Sequence, residues 1–272
     1  MDNNQLRGLQ ELEKEMLIAF MGICKKYDLR YYMLGGTCLG AVRHQGFIPW
    51  DDDIDVAMPR KDYQTFLQVA QAELPEHLFL QHSGSDPNYP LNYAKIRNCN
   101  TAFVEASAAH ISMNHGIFMD VFVLDGYKPT RLFRLKRFFY ERIVSTVFTR
   151  KEKLPALWAT VDFLLKHLFD YRMARDRLTR LYQKDDYDTS AMVMNFCGAW
   201  GDKEIVPRAF FGQGTPGAFE GLDVVLPAQY DAYLTQLYGD YMTPPPKEKQ
   251  ISHHGTDVID LTRPYTDYTE DK

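Results

Sequence analysis

Residues 35–59 read GGTCLGAVRHQGFIPWDDDIDVAMP. The stretch opens on paired glycines and closes on Asp51, Asp52, Asp53 and Asp55, the last of them inside an apolar run. That run, DIDVAM, ended by Pro59, predicts a strand. Side chains alternate across a strand, so Asp53 and Asp55 are expected on one face and Ile54 and Val56 on the other. Two carboxylates that close repel each other unless something positive lies between them, and a hard divalent cation held by carboxylate oxygens is the economical solution. Asp51 and Asp52 follow Pro49-Trp50 in an expected loop and read as solvated turn residues, with a supporting part behind the metal ligands as the alternative for Asp51. Downstream, GIFMDVFVLD places Asp120 in the middle of another apolar strand, where an unpaired carboxylate is costly. If the two strands are neighbours, Asp53, Asp55 and Asp120 converge around one or two Mg²⁺ ions, with Mn²⁺ as the alternative metal. This is a phosphoryl-transfer site in outline.

The flanking sequence supplies a scaffold. Leu9, Leu12, Met16, Phe20, Ile23 and Tyr27 recur at helical steps, predicting an amphipathic helix ended by Asp28. RYYML then reads as a buried strand broken by Gly35-Gly36, and Thr37 to His44 as a short helix. Residues 60–74 read as helix, and HLFLQ, NYAKIRN, TAFVE and GIFMDVFVLD as strands. A helix-rich stretch follows from about 130 to 183, then the strand pair GAFEGLDVVLP and a helix through Tyr230, Leu234 and Leu237 with Gly239 at its C-terminal cap. These readings predict one α/β domain with a helical insertion. Glycines at a helix start leave backbone N–H groups open to phosphate, which marks Gly35, Gly36 and Thr37. Arg43 follows that turn, and Lys95 and Arg97 alternate on one strand face. All three are candidates to hold phosphate oxygens, with surface ion pairs as the plain alternative.

Composition bounds the function. With 272 residues, 45% hydrophobic, the chain can fill a core, and its formal net charge of −5 argues against a general nucleic-acid binder. Cys24, Cys38, Cys99 and Cys197 are scattered without Cys-x-x-Cys pairing and suit reduced thiols in a cytosolic setting. The start MDNN does not read as a signal peptide, and MLIAFMGIC stops at Lys25-Lys26, short of a bilayer span.

The stretch YYMLGGTCLGAVRHQGFIPWDDDIDVAMPRKDY resembles the signature of the LicD family, relatives of fukutin and fukutin-related protein in the nucleotidyltransferase superfamily. YAKIRNCNT, GIFMDVFVLDG, GDKEIVPRAFF, FEGLDVVLP and YDAYLTQLYGDYMTPPPKEKQISHH resemble later family segments. The resemblance implies a single domain over 1–272 with an α/β (α+β) nucleotidyltransferase fold of the DNA polymerase β type, built on a mixed sheet, and a basic helical insertion at 130–190 within it. It implies that Gly35, Gly36 and Thr37 hold nucleotide phosphates and that Asp53, Asp55 and Asp120 hold Mg²⁺, with Asp120 the better placed as general base. It further implies transfer of phosphocholine or a related phospho-alcohol from a CDP-activated donor, such as CDP-choline, CDP-ribitol or CDP-glycerol, to a glycan hydroxyl of teichoic acid or lipopolysaccharide type, with CMP leaving. A choline head group suits an aromatic face, and Trp50 stands beside the aspartates. Two other readings stay open: transfer of the nucleotidyl group itself with pyrophosphate release, and a nucleotide-binding regulator without turnover. Lys203 and Glu204 lie in a matching segment with no assigned role, Glu220 reads as a solvated hairpin carboxylate, and His253-His254 as an exposed tail.

The segment RLFRLKRFFYERIVSTVFTRKEK, residues 131–153, carries eight Lys or Arg against two Glu. Interleaved with Leu132, Phe133, Leu135, Phe138, Phe139 and Tyr140, these cations read either as a solvated basic face over a core stripe or as a helix lying on an anionic membrane. The lipid-linked acceptors implied by the resemblance favour a cytoplasmic enzyme held peripherally at the inner membrane face.

Overall fold

The structure is a computed structural model that describes residues 1–148, 156–252 and 255–268. Helix α1 (Asn3–Lys26) starts where the Asp2 carboxylate accepts the Gln5 N–H at 2.8 Å. It buries the expected stripe, Leu9, Met16, Phe20 and Ile23, together with two polar residues, Gln10 and Glu13. The chain leaves it through Tyr27 and through Asp28, whose φ is +53°.

Seven strands of the described residues form the main sheet. Strand β1 (Tyr32–Met33) pairs antiparallel with β2 (Asp55–Pro59), which runs parallel to β6 (Ile117–Gly126). On the other side of β6, β4 (Ala94–Asn98) is antiparallel to it and β3 (Leu78–Gln81) antiparallel to β4. All ten residues of β6 are buried, as expected for a central strand covered on both faces. Strand β7 (Met192–Asn195) continues the sheet from the end of β6, and β8 (Ile205–Pro207) pairs with β7. Two ribbons lie off this sheet. Strand β5 (Ala102–Glu105) pairs with β11 (Thr256–Asp260), and β9 (Thr215–Phe219) with β10 (Leu222–Leu226) across Glu220-Gly221. Both turn residues have positive φ, +51° and +77°, the geometry of a twist-matched two-residue hairpin.

Three helices place the site. Helix α2 (Gly35–His44) follows β1 with only Leu34 between, and α3 (Arg60–Glu73) follows β2 at Pro59. Arg60 forks onto Asp125 at 2.8 and 2.6 Å, a buried bidentate pair tying the start of α3 to the end of β6. The excursion after β6 is helical: α4 (Arg131–Ser145), α5 (Ala156–Leu168) and α6 (Tyr171–Tyr182). It builds an apolar cluster of its own from Phe133, Ile143, Val144, Leu178 and Tyr182, seated on Met194 and Phe196 at β7. Tyr182 and Phe196 stack at 4.2 Å. The remaining helix, α7 (Tyr230–Tyr238), ends at Gly239, where φ is +75°.

The observed elements correct the sequence reading in three places. The first strand keeps only Tyr32–Met33 of RYYML, because Leu34 already serves as the N-cap of α2. The second begins at Asp55 rather than Asp53, although the Asp120 N–H donates to the Ile54 carbonyl at 2.8 Å. Strands β7, β8 and β11 are short and were not expected.

Candidate active site

Strand register brings the site together. Asp55 on β2 lies directly beside Asp120 on β6, and Lys95 on β4 lies directly across Asp120 on the other side. Lys95 Nζ sits 2.7 Å from Asp120 Oδ1, with both side chains almost wholly buried. The Lys95 ammonium also lies 3.3 Å from the centroid of the Phe118 ring, so the aromatic face shares its charge. One buried carboxylate oxygen, Asp55 Oδ1, accepts no hydrogen bond.

The three preceding aspartates are held by distant chain. Gln10 Nε2 on α1 donates to the Asp51 carbonyl at 3.0 Å, and Ser252 Oγ bonds the Asp52 carboxylate. Asp51 and Asp52 are therefore only 9% and 1% exposed, which overturns their reading as solvated turn residues. Asp53 is half-buried. Carboxylate oxygens of Asp51, Asp52 and Asp53 come within 4.8 Å of one another, a grouping of metal-ligand dimensions. The acidic face is thus broader than the expected trio. Asp55 and Asp120 meet through strand pairing, and Asp53 belongs also to the loop group.

The start of α2 faces these acids. Leu34 at the N-cap offers no side-chain bond, Gly35 has φ +49°, and its N–H donates to the Tyr233 hydroxyl at 3.3 Å. A Cβ on Gly35 would lie 3.6 Å from Asp55 Oδ2, and one on Gly36 only 2.9 Å from Asp51 Oδ2. Glycine thus lets the positive end of the helix dipole approach the carboxylates closely. The Thr37 hydroxyl accepts the Asp55 N–H at 2.8 Å, anchoring the strand where it starts.

Electrostatics show the strain of the assembly. Burial first, then the charges of Asp53, Asp120 and Asp51, push the Asp55 carboxyl well above the ordinary range, with Lys95 opposing. Glu13 on α1 is raised in the same way, by burial and then by Asp53, Asp52, Asp51 and Asp55. Glu13 is the neighbour of the acidic group that sequence reasoning missed. Its signal was present, because a glutamate between Leu9 and Met16 falls on the apolar stripe of α1. Tyr238, at the end of α7, has its hydroxyl pushed up by burial and then by Asp55 and Asp51.

The expected phosphate cations separate. Arg43 is half-buried near Asp51 and Tyr238 and donates to the Tyr241 carbonyl at 2.7 Å, while burial lowers its pKa. Lys95 is committed to Asp120. Arg97 corrects the expectation of a phosphate contact: it is 0% exposed, and its guanidinium donates to Gln81 Oε1 and the Gly116 carbonyl at 2.7 Å each. Its strand face is the expected one, but the β3–β4 end of that face is roofed over. Trp50 is half-buried against the main core, one residue before the aspartates.

Roles also emerge for residues without one. Glu220 is not a solvated hairpin carboxylate, because it accepts the Phe47 N–H at 3.2 Å and Arg7 Nη2 at 3.0 Å, clamping the loop ahead of the aspartates to α1. Lys203 Nζ donates to the Leu237 carbonyl at 3.0 Å, holding the end of α7. His253 and His254 lie outside the described residues. A cavity of about 1230 Å³ opens among Phe79, Asp86, Cys99, His110, Asn114 and Tyr265, and no residue of the acidic group lines it.

Glu204 gives a stability prediction. Burial pushes its carboxyl from 4.5 up to about 7, against a backbone hydrogen bond at Trp200. The folded chain keeps a proton there that the unfolded chain has lost, so stability falls as pH rises from 4.5 to about 7 and is flat above. Glu204→Gln is expected to remove that fall and to be the more stable form near pH 8, by at most roughly 3 kcal/mol. Urea denaturation near pH 5 and near pH 8 checks it, and parallel pH profiles for the two proteins refute it.

The fold and site define a class: an acidic group on the inner strands of a mixed sheet, faced by a glycine-opened helix start. Residues 28–130 match the family model described as LicD/FKTN/FKRP, nucleotidyltransferase domain. The chain is 34% identical to the lipopolysaccharide cholinephosphotransferase LicD of Haemophilus influenzae over 260 residues, covering 92% of this chain and 96% of that protein. It belongs to the LicD family. Shorter likenesses extend to the human ribitol 5-phosphate transferase FKRP, 35% over 68 residues, covering 25% of this chain and 13% of that protein. An uncharacterized Rickettsia prowazekii protein, RP689, is 30% identical over 117 residues, 43% of this chain and 37% of that protein.

Proposed function

We propose that this chain is a phosphotransferase that moves phosphocholine, or a related phospho-alcohol, from a CDP-activated donor to a hydroxyl of a cell-surface glycan precursor of teichoic acid or lipopolysaccharide type, releasing CMP. The observation that carries the reading is the register of Asp55 beside Asp120 in a buried acidic group facing the start of α2. The named activities of the similar LicD and FKRP proteins support it in kind. Lipid-linked acceptors of that type assign the reaction to the cytoplasmic face of the membrane.

The donor set fits a hard divalent cation. It offers carboxylate oxygens alone, among them the buried Asp55 Oδ1 without a hydrogen bond, in a site with more negative than positive groups. Asp53, Asp55 and Asp120, with Asp51 and Asp52 beside them, would hold Mg²⁺ or Mn²⁺, which when bound supplies neutralising charge for a diphosphate. The protein's own groups do the rest. The open N–H groups at Gly36 and Thr37 receive phosphate oxygens, Arg43 stands at the rim, and Lys95 holds Asp120 toward Asp55. Asp120 is assigned as the group that takes the acceptor hydroxyl proton. Phosphate transfer between oxygens needs positioning and charge neutralisation rather than a protein nucleophile, which matches this inventory.

Purified protein with Mg²⁺ and a panel of CDP-choline, CDP-ribitol and CDP-glycerol tests the reading. Acceptor-dependent CMP release is expected; pyrophosphate release from a nucleoside triphosphate would replace it with nucleotidyl transfer, and binding without turnover would make the chain a regulator. Trp50→Ala is expected to raise the KM for CDP-choline several-fold, matching about 0.5–2 kcal/mol of cation–π attraction, while leaving a neutral CDP-polyol unaffected. Equal effects on both donors would remove Trp50 from the head-group site.

A further inference from the structure

We propose that the outer face of α4 and α5 is a docking surface for an anionic lipid bilayer. Helix α4 is apolar on two sides. Phe133, Ile143 and Val144 point into the excursion's own core, yet Leu132, Leu135 and Phe138 are 58%, 66% and 67% exposed. An ordinary surface helix keeps its outer side polar. The apolar surface continues onto the neighbouring elements, because Phe139 meets Phe169 edge to face at 5.4 Å and Leu168, at the end of α5, is 70% exposed. Large apolar side chains at that exposure on adjoining helices exceed the scattered hydrophobics of a monomer surface.

Charge decides the occupant. The cations of α4 divide into two sets: Arg137 and Arg142 are paired with Glu141 and Asp162, whereas Arg131, Arg134 and Lys136 are exposed with no ion pair among the described residues. Lys166 on α5 is exposed as well. A chain of net charge −5 thus presents unpaired positive charge around its most exposed apolar side chains. A second copy would bring like charges together, while an anionic bilayer accepts Leu and Phe among its acyl chains and the cations among its headgroups. No helix of the described residues is long and apolar enough to cross a membrane, so the contact lies on the surface. Residues 149–155, the end of the basic segment, lie outside the described residues. The inference stands independently of the transfer reaction.

Sedimentation of the full chain with phosphatidylglycerol-containing and with pure phosphatidylcholine vesicles, at low and high salt, tests it. Binding is expected to the first alone and to be lost at high salt. Arg134→Gln with Lys136→Gln is expected to weaken it about twenty-five-fold, at about fivefold per cation. Leu135→Ser with Phe138→Ser is expected to weaken it tenfold or more. All four side chains are exposed, and unchanged circular dichroism and thermal unfolding will report an intact fold. Absence of binding at low salt, salt-insensitive binding to both vesicles, or full binding by both variants overturns the proposal. So does a concentration-dependent dimer in ultracentrifugation that Leu135→Ser with Phe138→Ser abolishes, since the face would then belong to a second copy.

Discussion

Asp55→Asn is expected to cut transfer on the order of a thousandfold, and to leave the metal-free protein at least as stable as the parent. The two readouts move in opposite senses because of what surrounds the residue. Asp55 is half-buried, its buried Oδ1 accepts no hydrogen bond, and its carboxyl is held well above its ordinary 3.8 by burial and then by Asp53, Asp120 and Asp51. A carboxyl raised in the fold withdraws stability as pH climbs above its unfolded value. Asparagine keeps the volume and removes the charge, so that penalty disappears along with the metal and phosphate chemistry. CMP release at saturating Mg²⁺, set beside urea denaturation in the presence of a chelator, reads both. Near-parental turnover would sink the site assignment. A large stability loss with chelator present would instead make Asp55 a structural residue.

The same residue shows how far the sequence could be read. An aspartate in an apolar run is legible, because burying a lone carboxylate is costly enough to imply a partner, which marked Asp120, while alternation on one strand marked Asp55 together with Asp53. The registration of Asp55 beside Asp120 follows from β2 and β6 being parallel neighbours. The environment of Asp51 and Asp52 was not legible, since it depends on Gln10 and Ser252, which lie 41 and 200 positions away. Arg97 failed for a related reason. Alternation places Lys95 and Arg97 on one face, but nothing local says that Gln81 and Gly116 close over the second of them. Glu13 was legible and overlooked: helical periodicity that counts only apolar positions passes over a charge on the same stripe. The missing strands β7, β8 and β11 are three to five residues long, too short for alternation to stand out.

The buried pair at Lys95 and Asp120 carries the other large expected effect. Replacing one partner of a buried ion pair leaves the other charge without compensation, typically at a cost of about 3–5 kcal/mol. Lys95→Met is expected to reach that range, because Asp120 then lies beside the Asp55 carboxyl with its ammonium partner gone. The double variant Lys95→Met with Asp120→Asn removes the orphaned charge as well, so it is expected to recover most of the loss, with a coupling of about 1–3 kcal/mol between the two positions. Methionine suits this test because its chain can still lie against Phe118, whose ring now faces the ammonium at 3.3 Å. Divalent cation supplies a second, independent readout. If the acidic group holds Mg²⁺, Lys95→Met has more uncompensated charge to neutralise, and its Tm should rise further with added Mg²⁺ than that of the parent. A single variant costing under about 1 kcal/mol would show that the pair is not held in solution as it is here. A Tm indifferent to Mg²⁺ in parent and variant alike would count directly against a metal among these carboxylates, leaving Lys95 as the charge on which the buried aspartates depend.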